Sequence, residues 1–414
     1  MSLLSMPERP FYKEYPRRPC AVCDSRKVRL LFRQTFSAMS SGSLLRGYDV
    51  VVCEKCGFGF ADYIPGQAAF DAYYRDMSKY EHEDRGGGVS EHDMARFRAT
   101  VETVRPYLTD PNSRLLDVGC STGQLLALFK ESGLKNVIGL DPSPMCAKMA
   151  RELFDIHVLT GVLADVPRIM ASESSFDFII LIGVLEHLCD LDTSLKGVRE
   201  LASPNALIYV EVPDATDFAS WPDAPFQEFS TEHINYFSAV SLTNLLGGLG
   251  FAQVYSRQIA RHQSQSTIMP VVTAIYRKEE LTGASPIIRD TETERGLAAY
   301  IARSRQTDES IRKIIDDLVM SNSPVIVWGV GTHTLRLLET SRLGQANIVA
   351  FVDSNPRYQG KELHGRPILA PADLHGQSEP ILISSRVFQA DIENFIRKAL
   401  ELKKDIIKLY PSLE

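Results

Sequence analysis

A short run constrains this chain more than any other: Leu115-Leu116-Asp117-Val118 leads into Gly119-Cys120-Ser121-Thr122-Gly123, and an amphipathic stretch, Gln124–Ser132, follows. The order reads as a strand entering a helix through a glycine turn, where a ligand can approach backbone N–H groups at a helix start. The flanking sequence repeats the alternation. Strand-like runs at Arg114–Val118, Asn136–Leu140, Phe176–Ile182 and Ala206–Val212 are separated by helical patterns at Gln124–Ser132, Pro144–Phe154 and Leu191–Leu201. Such alternation builds βαβ units and a parallel sheet covered on both faces, so the fold class is α/β. Phe251–Arg257 and Thr267–Arg277 follow one another with no helix between them and are expected as an antiparallel pair at the sheet edge.

Charge decides what the turn holds. A dinucleotide turn receives a diphosphate, which an adjacent acid would repel. Here Asp117 stands at the strand end, and the spacing is Gly-x-x-x-Gly rather than Gly-x-Gly-x-x-Gly. An acid suits a sulfonium and an ammonium better than a diphosphate. Asp141 ends the next strand, where a carboxylate can take both hydroxyls of a ribose. The ligand implied is S-adenosylmethionine, with Asp117 near its ammonium and Asp141 on its ribose.

The rest of the chain divides into blocks. At 414 residues it exceeds one ordinary domain, and each block is expected to bury its own core. A hydrophobic fraction of 44% with 23% charged residues is that of an ordered globular protein. The formal net charge of −7 argues against general nucleic-acid binding. No run of 18 apolar residues occurs, so no membrane helix is expected. Met1–Arg18 lacks the apolar segment of a secretory signal, and the expectation is a cytoplasmic protein. The blocks are 11–75, which is cysteine-bearing with strand-like Lys27–Phe32 and Tyr48–Cys53; 76–280, which holds the glycine turn; and 290–414. A polar connection, Tyr80–Ser90 with Gly86-Gly87-Gly88, precedes the second block, and Leu281–Asp290 precedes the third. The third block reads as a long helix, Glu292–Met320, then a smaller βαβ series: Val325–Val330, His333–Ser341, Ile348–Asp353, Ile381–Ser384 and a closing helix Ala390–Leu402.

Four of the seven cysteines form two C-x2-C pairs, Cys20/Cys23 and Cys53/Cys56. Each pair is a knuckle that can put two thiolates on one tetrahedral ion. A structural Zn2+ with four thiolates is expected, and it has no open position for catalysis.

The turn, together with Phe176-Asp177 and Gly183-Val184-Leu185-Glu186-His187-Leu188, resembles the motif series of class I methyltransferases. That resemblance implies a Rossmann-like core whose cofactor is bound by Asp117, Gly119, Ser121, Gly123, Asp141, Leu163 and Gly183, with Glu186-His187 shaping the cofactor wall. After the fourth parallel strand comes Phe226-Gln227-Glu228-Phe229-Ser230-Thr231-Glu232-His233-Ile234-Asn235-Tyr236-Phe237-Ser238, over the strand ends where such folds bind ligands. A carboxylate and an imidazole there could move a proton. From about 11 to 400 the chain is similar to a narrower family, the three-domain zinc-containing C-methyltransferases of nucleotide-linked keto-deoxysugars. Glu232, His233, Phe237 and Ser238 match that family's Glu-His-x-x-x-Phe-Ser segment, and Val327–Gly331 with Val352–Pro356 matches its C-terminal Rossmann-like domain. Two departures touch the substrate pocket: Ser230 replaces a tyrosine, and Arg261–Ser266 replaces a Gly-Gly-Ser-Leu-Arg stretch.

The resemblance implies that His233 removes the proton beside a ketone, helped by Glu232, before methyl transfer to the resulting carbanion. It also implies a small-molecule acceptor carrying a nucleotide diphosphate, no nucleic-acid or membrane partner, and a monomer or small homo-oligomer. O- or N-methylation of another metabolite, nucleic-acid methylation and a non-catalytic sensor are the competing readings. A second dinucleotide site at Gly329-x-Gly331 is weaker, because Thr334 replaces its third glycine.

Overall fold

The computed structural model describes residues 15–39, 43–76, 90–166, 175–221, 223–264, 267–281, 283 and 285–410. The triple-glycine connection lies outside them. The strands form three sheets. The central one runs in the order β10 (Phe251–His262), β11 (Ile268–Lys278), β8 (Ala202–Pro213), β7 (Phe176–Ile182), β4 (Arg114–Val118), β5 (Asn136–Asp141), β6 (Val158–Thr160). From β8 to β6 the strands are parallel, and β11 and β10 close the edge antiparallel as expected. Helices α3 (Gln124–Glu131), α4 (Pro144–Phe154), α5 (Leu191–Leu201) and α6 (Ala239–Gly248) cover this sheet. Side-chain caps fix three starts: Ser143 on Cys146 N, Asp190 on Thr193 N, and Ser238 on Ser241 N. Two earlier helices, α1 (Gln67–Asp76) and α2 (Glu91–Val104), precede the sheet. In α2 Met94, Phe97, Val101 and Val104 recur at helical spacing; Val104 is fully buried, and Phe97 and Val101 are half-buried against the same core.

The N-terminal sheet is antiparallel, β1 (Val28–Thr35), β2 (Gly47–Cys53), β3 (Gly59–Asp62), and it takes β9 (Asn235–Tyr236) as its fourth strand. The expectation that this block owns a separate core is corrected here. Strand side chains alternate faces. Val50 and Val52 of β2 pack into one apolar cluster with Phe226, Phe229, Leu297 and Val325. Val51 and Cys53 pack into another with Leu116, Ile179 and Val210. Both faces of β2 are therefore buried, one toward each of the other two sheets.

Helix α7 (Glu292–Ser321) leads to the third sheet, ordered β14 (Glu362–Leu363), β15 (Arg366–Leu369), β13 (Ile348–Val352), β12 (Val325–Trp328), β16 (Ile381–Ile383), β17 (Ile406–Lys408), with α8 (Thr332–Thr340) after β12. The expected closing helix is shorter and broken: α9 (Gln389–Asn394) passes into a π-turn at Phe395–Ala399. The start of α7 is clamped to the cysteine knuckle. Asp290 N–H donates to Cys56 O at 2.8 Å, while the Asp290 carboxylate accepts from Ser238 Oγ and from Thr293 N and Oγ1.

Candidate active site

Strands β4 and β7 are adjacent, yet their connections leave toward opposite halves of the sheet, and a crevice opens at their carboxyl ends. Its floor is two glycine turns in contact, Gly119 at φ 71° and Gly183 at φ 66°. A Cβ on Gly119 would lie 2.9 Å from Val184 Cγ2, so the site requires glycine for both conformation and space. Asp141 accepts from Ser121 N at 2.8 Å and Ser143 N at 2.9 Å, which braces the turn while leaving each oxygen a second lone pair. Burial, reinforced by Asp141, pushes the Asp117 carboxyl well above its usual value. Asp117, Gly119, Ser121, Gly123, Asp141, Leu163 and Gly183 thus lie along one end of the sheet. Farther along, Glu211 is fully buried between Arg96 Nε (2.6 Å) and Arg261 Nη2 (3.0 Å). Burial raises its pKa, but the two guanidiniums outweigh this and hold it below the ordinary value. A glycine-floored crevice lined by acids fits a cofactor bearing sulfonium and ammonium charge.

Above β7 stand two histidines, their rings 5.0 Å apart and edge to face. His233 Nδ1 faces Glu228 Oε2 at 3.3 Å. The expected helper, Glu232, is elsewhere: its carboxylate accepts from Tyr73 OH at 3.0 Å. The reason is the turn itself. Ser230 Oγ accepts from both Glu232 N and His233 N, and this turn sends the neighbouring side chains apart. Burial pulls the His233 pKa down, but the Glu228 hydrogen bond and the charges of Glu228, Glu186 and Glu232 outweigh it, leaving the imidazole above its ordinary value. Glu186 is buried, and burial pushes its carboxyl up to about 7 against the pull of His233. The segment is pinned from both sides. Ile234 N donates to Glu186 O, and β9, directly after His233, pairs with β3 of the cysteine-bearing sheet.

Residues 90–256 match a family model described as a methyltransferase domain, and residues 321–407 match one described as C2185-like, N-terminal. Over 351 residues, 81% of this chain and 79% of the relative, the chain is 25% identical to the C-methyltransferase NovU of Streptomyces niveus. An O-methyltransferase of Pyrenophora dematioidea is 25% identical over 220 residues, 50% of this chain and 77% of that one. This chain is an S-adenosylmethionine-dependent methyltransferase. Among solved structures, magnesium protoporphyrin IX methyltransferase from Synechocystis PCC 6803 aligns with 51% of the methyltransferase and 99% of its own chain, at 14% identity and a TM-score of 0.39.

The methyltransferase brings its four paired cysteines together. One sulfur from each of Cys20, Cys23, Cys53 and Cys56 lies within 4.8 Å of the others, with Cys20–Cys56 at 3.4 Å and Cys23–Cys53 at 3.5 Å. Those separations exceed a disulfide bond, about 2.05 Å, and approach the ~3.8 Å edges of a tetrahedron with ~2.3 Å metal–sulfur arms. The residues fit a tetrathiolate ion. In the third sheet, Asp353 accepts from Val330 N and Asn355 N, so its carboxylate braces its own turn. Among the described residues, no helix is long and apolar enough to cross a membrane.

Sequence reasoning missed Glu228, Tyr73 and Tyr74 at the site. The Glu228-x-x-x-x-His233 spacing carries no motif, and the tyrosines sit on α1, whose register against the sheet is set by tertiary contacts such as Tyr74 OH to His187 Nδ1 at 2.9 Å.

Proposed function

We propose that this methyltransferase methylates carbon on a nucleotide-linked keto-deoxysugar, after His233 has taken the proton beside the ketone. The observation that carries the reading is the His233 imidazole, oriented through Nδ1 by Glu228 beside the Gly183 turn. A carboxylate accepts only, so its approach favours the proton on Nδ1 and the lone pair on Nε2 of the neutral ring. As Nε2 gains a proton, Glu228 stabilises the imidazolium. S-adenosylmethionine, when bound, supplies an electrophilic methyl group on a sulfonium. Asp117 faces its ammonium, Asp141 its ribose, and Gly119, Ser121, Gly123, Leu163 and Gly183 line its path. Burial first, then the Glu232 charge, keeps the Tyr73 phenol far above its usual pKa, so the Tyr73–Glu232 pair is a ready hydrogen-bonding partner for sugar oxygens. The similarity to NovU supports carbon as acceptor, since it spans 81% of this chain rather than the methyltransferase domain alone.

In this reading 11–75 is a zinc module, 76–280 the catalytic domain and 290–414 the dock for the nucleotide. Zn2+ on Cys20, Cys23, Cys53 and Cys56 would brace the sheet that holds β9, and with it His233. Metal analysis of Cys53→Ser should find less than one zinc per chain, with methyl transfer falling further than S-adenosylhomocysteine affinity. Stoichiometric zinc in that variant would refute the ligand set. The acceptor is tested with carbon-13-methyl cofactor and a nucleotide-linked 4-keto-deoxyhexose. The label should appear as a C-methyl resonance, and a label found on oxygen or nitrogen would overturn the reading.

A further inference from the structure

Glu186 and His187 take no part in the proton transfer above, yet their ligating atoms converge on His233. One atom from each of Glu186, His187 and His233 lies within 4.8 Å of the other two. His187 Nδ1 lies 2.9 Å from Tyr74 OH and 3.1 Å from the Glu232 carbonyl, and His233 Nδ1 lies 3.3 Å from Glu228 Oε2. With both Nδ1 atoms facing protein groups, Nε2 is the nitrogen through which each ring would meet an ion. His187 Nε2 is 4.0 Å from Glu186 Oε1, while Glu186 Oε2 is buried and has no hydrogen-bond partner among the described residues. A buried carboxylate oxygen left without a donor is unfavourable until a cation meets it.

We propose that Glu186, His187 and His233 form a second metal site, for a divalent first-row transition ion such as Zn2+ or Co2+. Two imidazoles and one carboxylate are a donor set suited to these ions, and three protein ligands leave open positions. Histidines that bind metal through one nitrogen normally tie the other to a carboxylate or carbonyl, as both do here. Tetrahedral ligand atoms on ~2.1 Å arms lie about 3.4 Å apart, so side-chain closure of up to about 1.4 Å completes the site. One consequence rests on the base reading of His233. An ion on Nε2 occupies the lone pair that takes the proton, so metal at this site switches the enzyme off, whereas metal at the cysteines supports it.

The test titrates zinc-replete protein with Co2+, followed by calorimetry and visible absorption. One further Co2+ per chain is expected, with the bands of a nitrogen–oxygen site and no thiolate charge transfer. His187→Asn keeps an N–H near the Nδ1 position but lacks Nε2, and Glu186→Gln keeps shape without charge. Each should weaken Co2+ by more than the about 10–100-fold typical of losing an outer partner, the effect expected of Glu228→Gln. Circular dichroism of each variant establishes that it is folded. No further Co2+, or an affinity equal in wild type, His187→Asn and Glu186→Gln, overturns the site. Methyl transfer should fall as Co2+ fills the site. If Co2+ binds as described and transfer continues, the metal site stands and His233 as base is lost.

Discussion

Among the described residues the chain builds the same glycine turn at Gly119 and at Gly329, and the two differ in what borders them. Behind Gly119, Asp141 accepts from Ser121 N and from Ser143 N. Behind Gly329, Asp353 accepts from Val330 N and from Asn355 N. The backbone bracing is nearly the same. The neighbours differ. Two residues before the first turn stands the buried acid Asp117, and before the second stands Val327. The strand flanking the first turn, β7, is followed by Gly183, which has no side chain. Its counterpart β16 is followed by Ser384, whose Oγ lies 2.9 Å from Thr334 Oγ1, and Thr334 Oγ1 donates to Gly329 O at 2.7 Å. A glycine turn is thus a property of the fold, and a site depends on what the adjoining strands end in.

The sharpest way to break the comparison is one methyl group at each turn. Gly119→Ala sets a Cβ against Val184 in a left-handed conformation, so S-adenosylhomocysteine affinity should fall at least about 100-fold by calorimetry, roughly the effect of a 2.7 kcal/mol loss. Gly329→Ala meets nothing nearer than 3.8 Å but is strained at φ 107°. It should cost about 1–3 kcal/mol of stability and leave the cofactor affinity unchanged. Equal losses of affinity in both variants would end the distinction.

A smaller effect is expected from the acids. Asp141→Ala removes charge-assisted hydrogen bonds, each worth roughly 1.5–3 kcal/mol, so affinity should drop by about tenfold or more. Asp353→Ala should leave it unchanged.

The smallest effect concerns the third sheet alone. Asp308 of α7 bridges Arg336 at 2.5 Å and Arg312 at 2.8 Å. Burial raises its pKa, but these guanidiniums outweigh that and hold it below the ordinary carboxylate value. Its contribution is therefore present above the unfolded pKa of about 3.9 and is lost as pH falls through the lower folded value. Asp308→Asn should lower the melting temperature at pH 7, and the difference from wild type should shrink below about pH 4. A difference independent of pH would show that the charge is not what matters.

The alternation of strands and helices was legible because apolar period and glycine punctuation are local, and so were Gly119, Asp141 and the cysteine pairs. Three things were not. Helix α2 carries Met94, Phe97, Val101 and Val104 at helical spacing, but the reach of its Arg96 to Glu211 is a tertiary contact that spacing does not encode. The two-residue strand β9 cannot be read without β3, yet that pairing ties the cysteine-bearing sheet to the segment that holds His233. Glu228 rather than Glu232 meets the imidazole because the Ser230 turn folds the chain back on itself, a tertiary choice that spacing does not encode.

The central claim is that His233 is the base. In heavy water with the nucleotide-linked ketosugar and S-adenosylhomocysteine, wild type should exchange the proton beside the ketone without methyl transfer. His233→Ala should lose about 10²–10⁴ of that exchange rate while binding S-adenosylhomocysteine as wild type does. Exchange at the wild-type rate in His233→Ala would contradict the account.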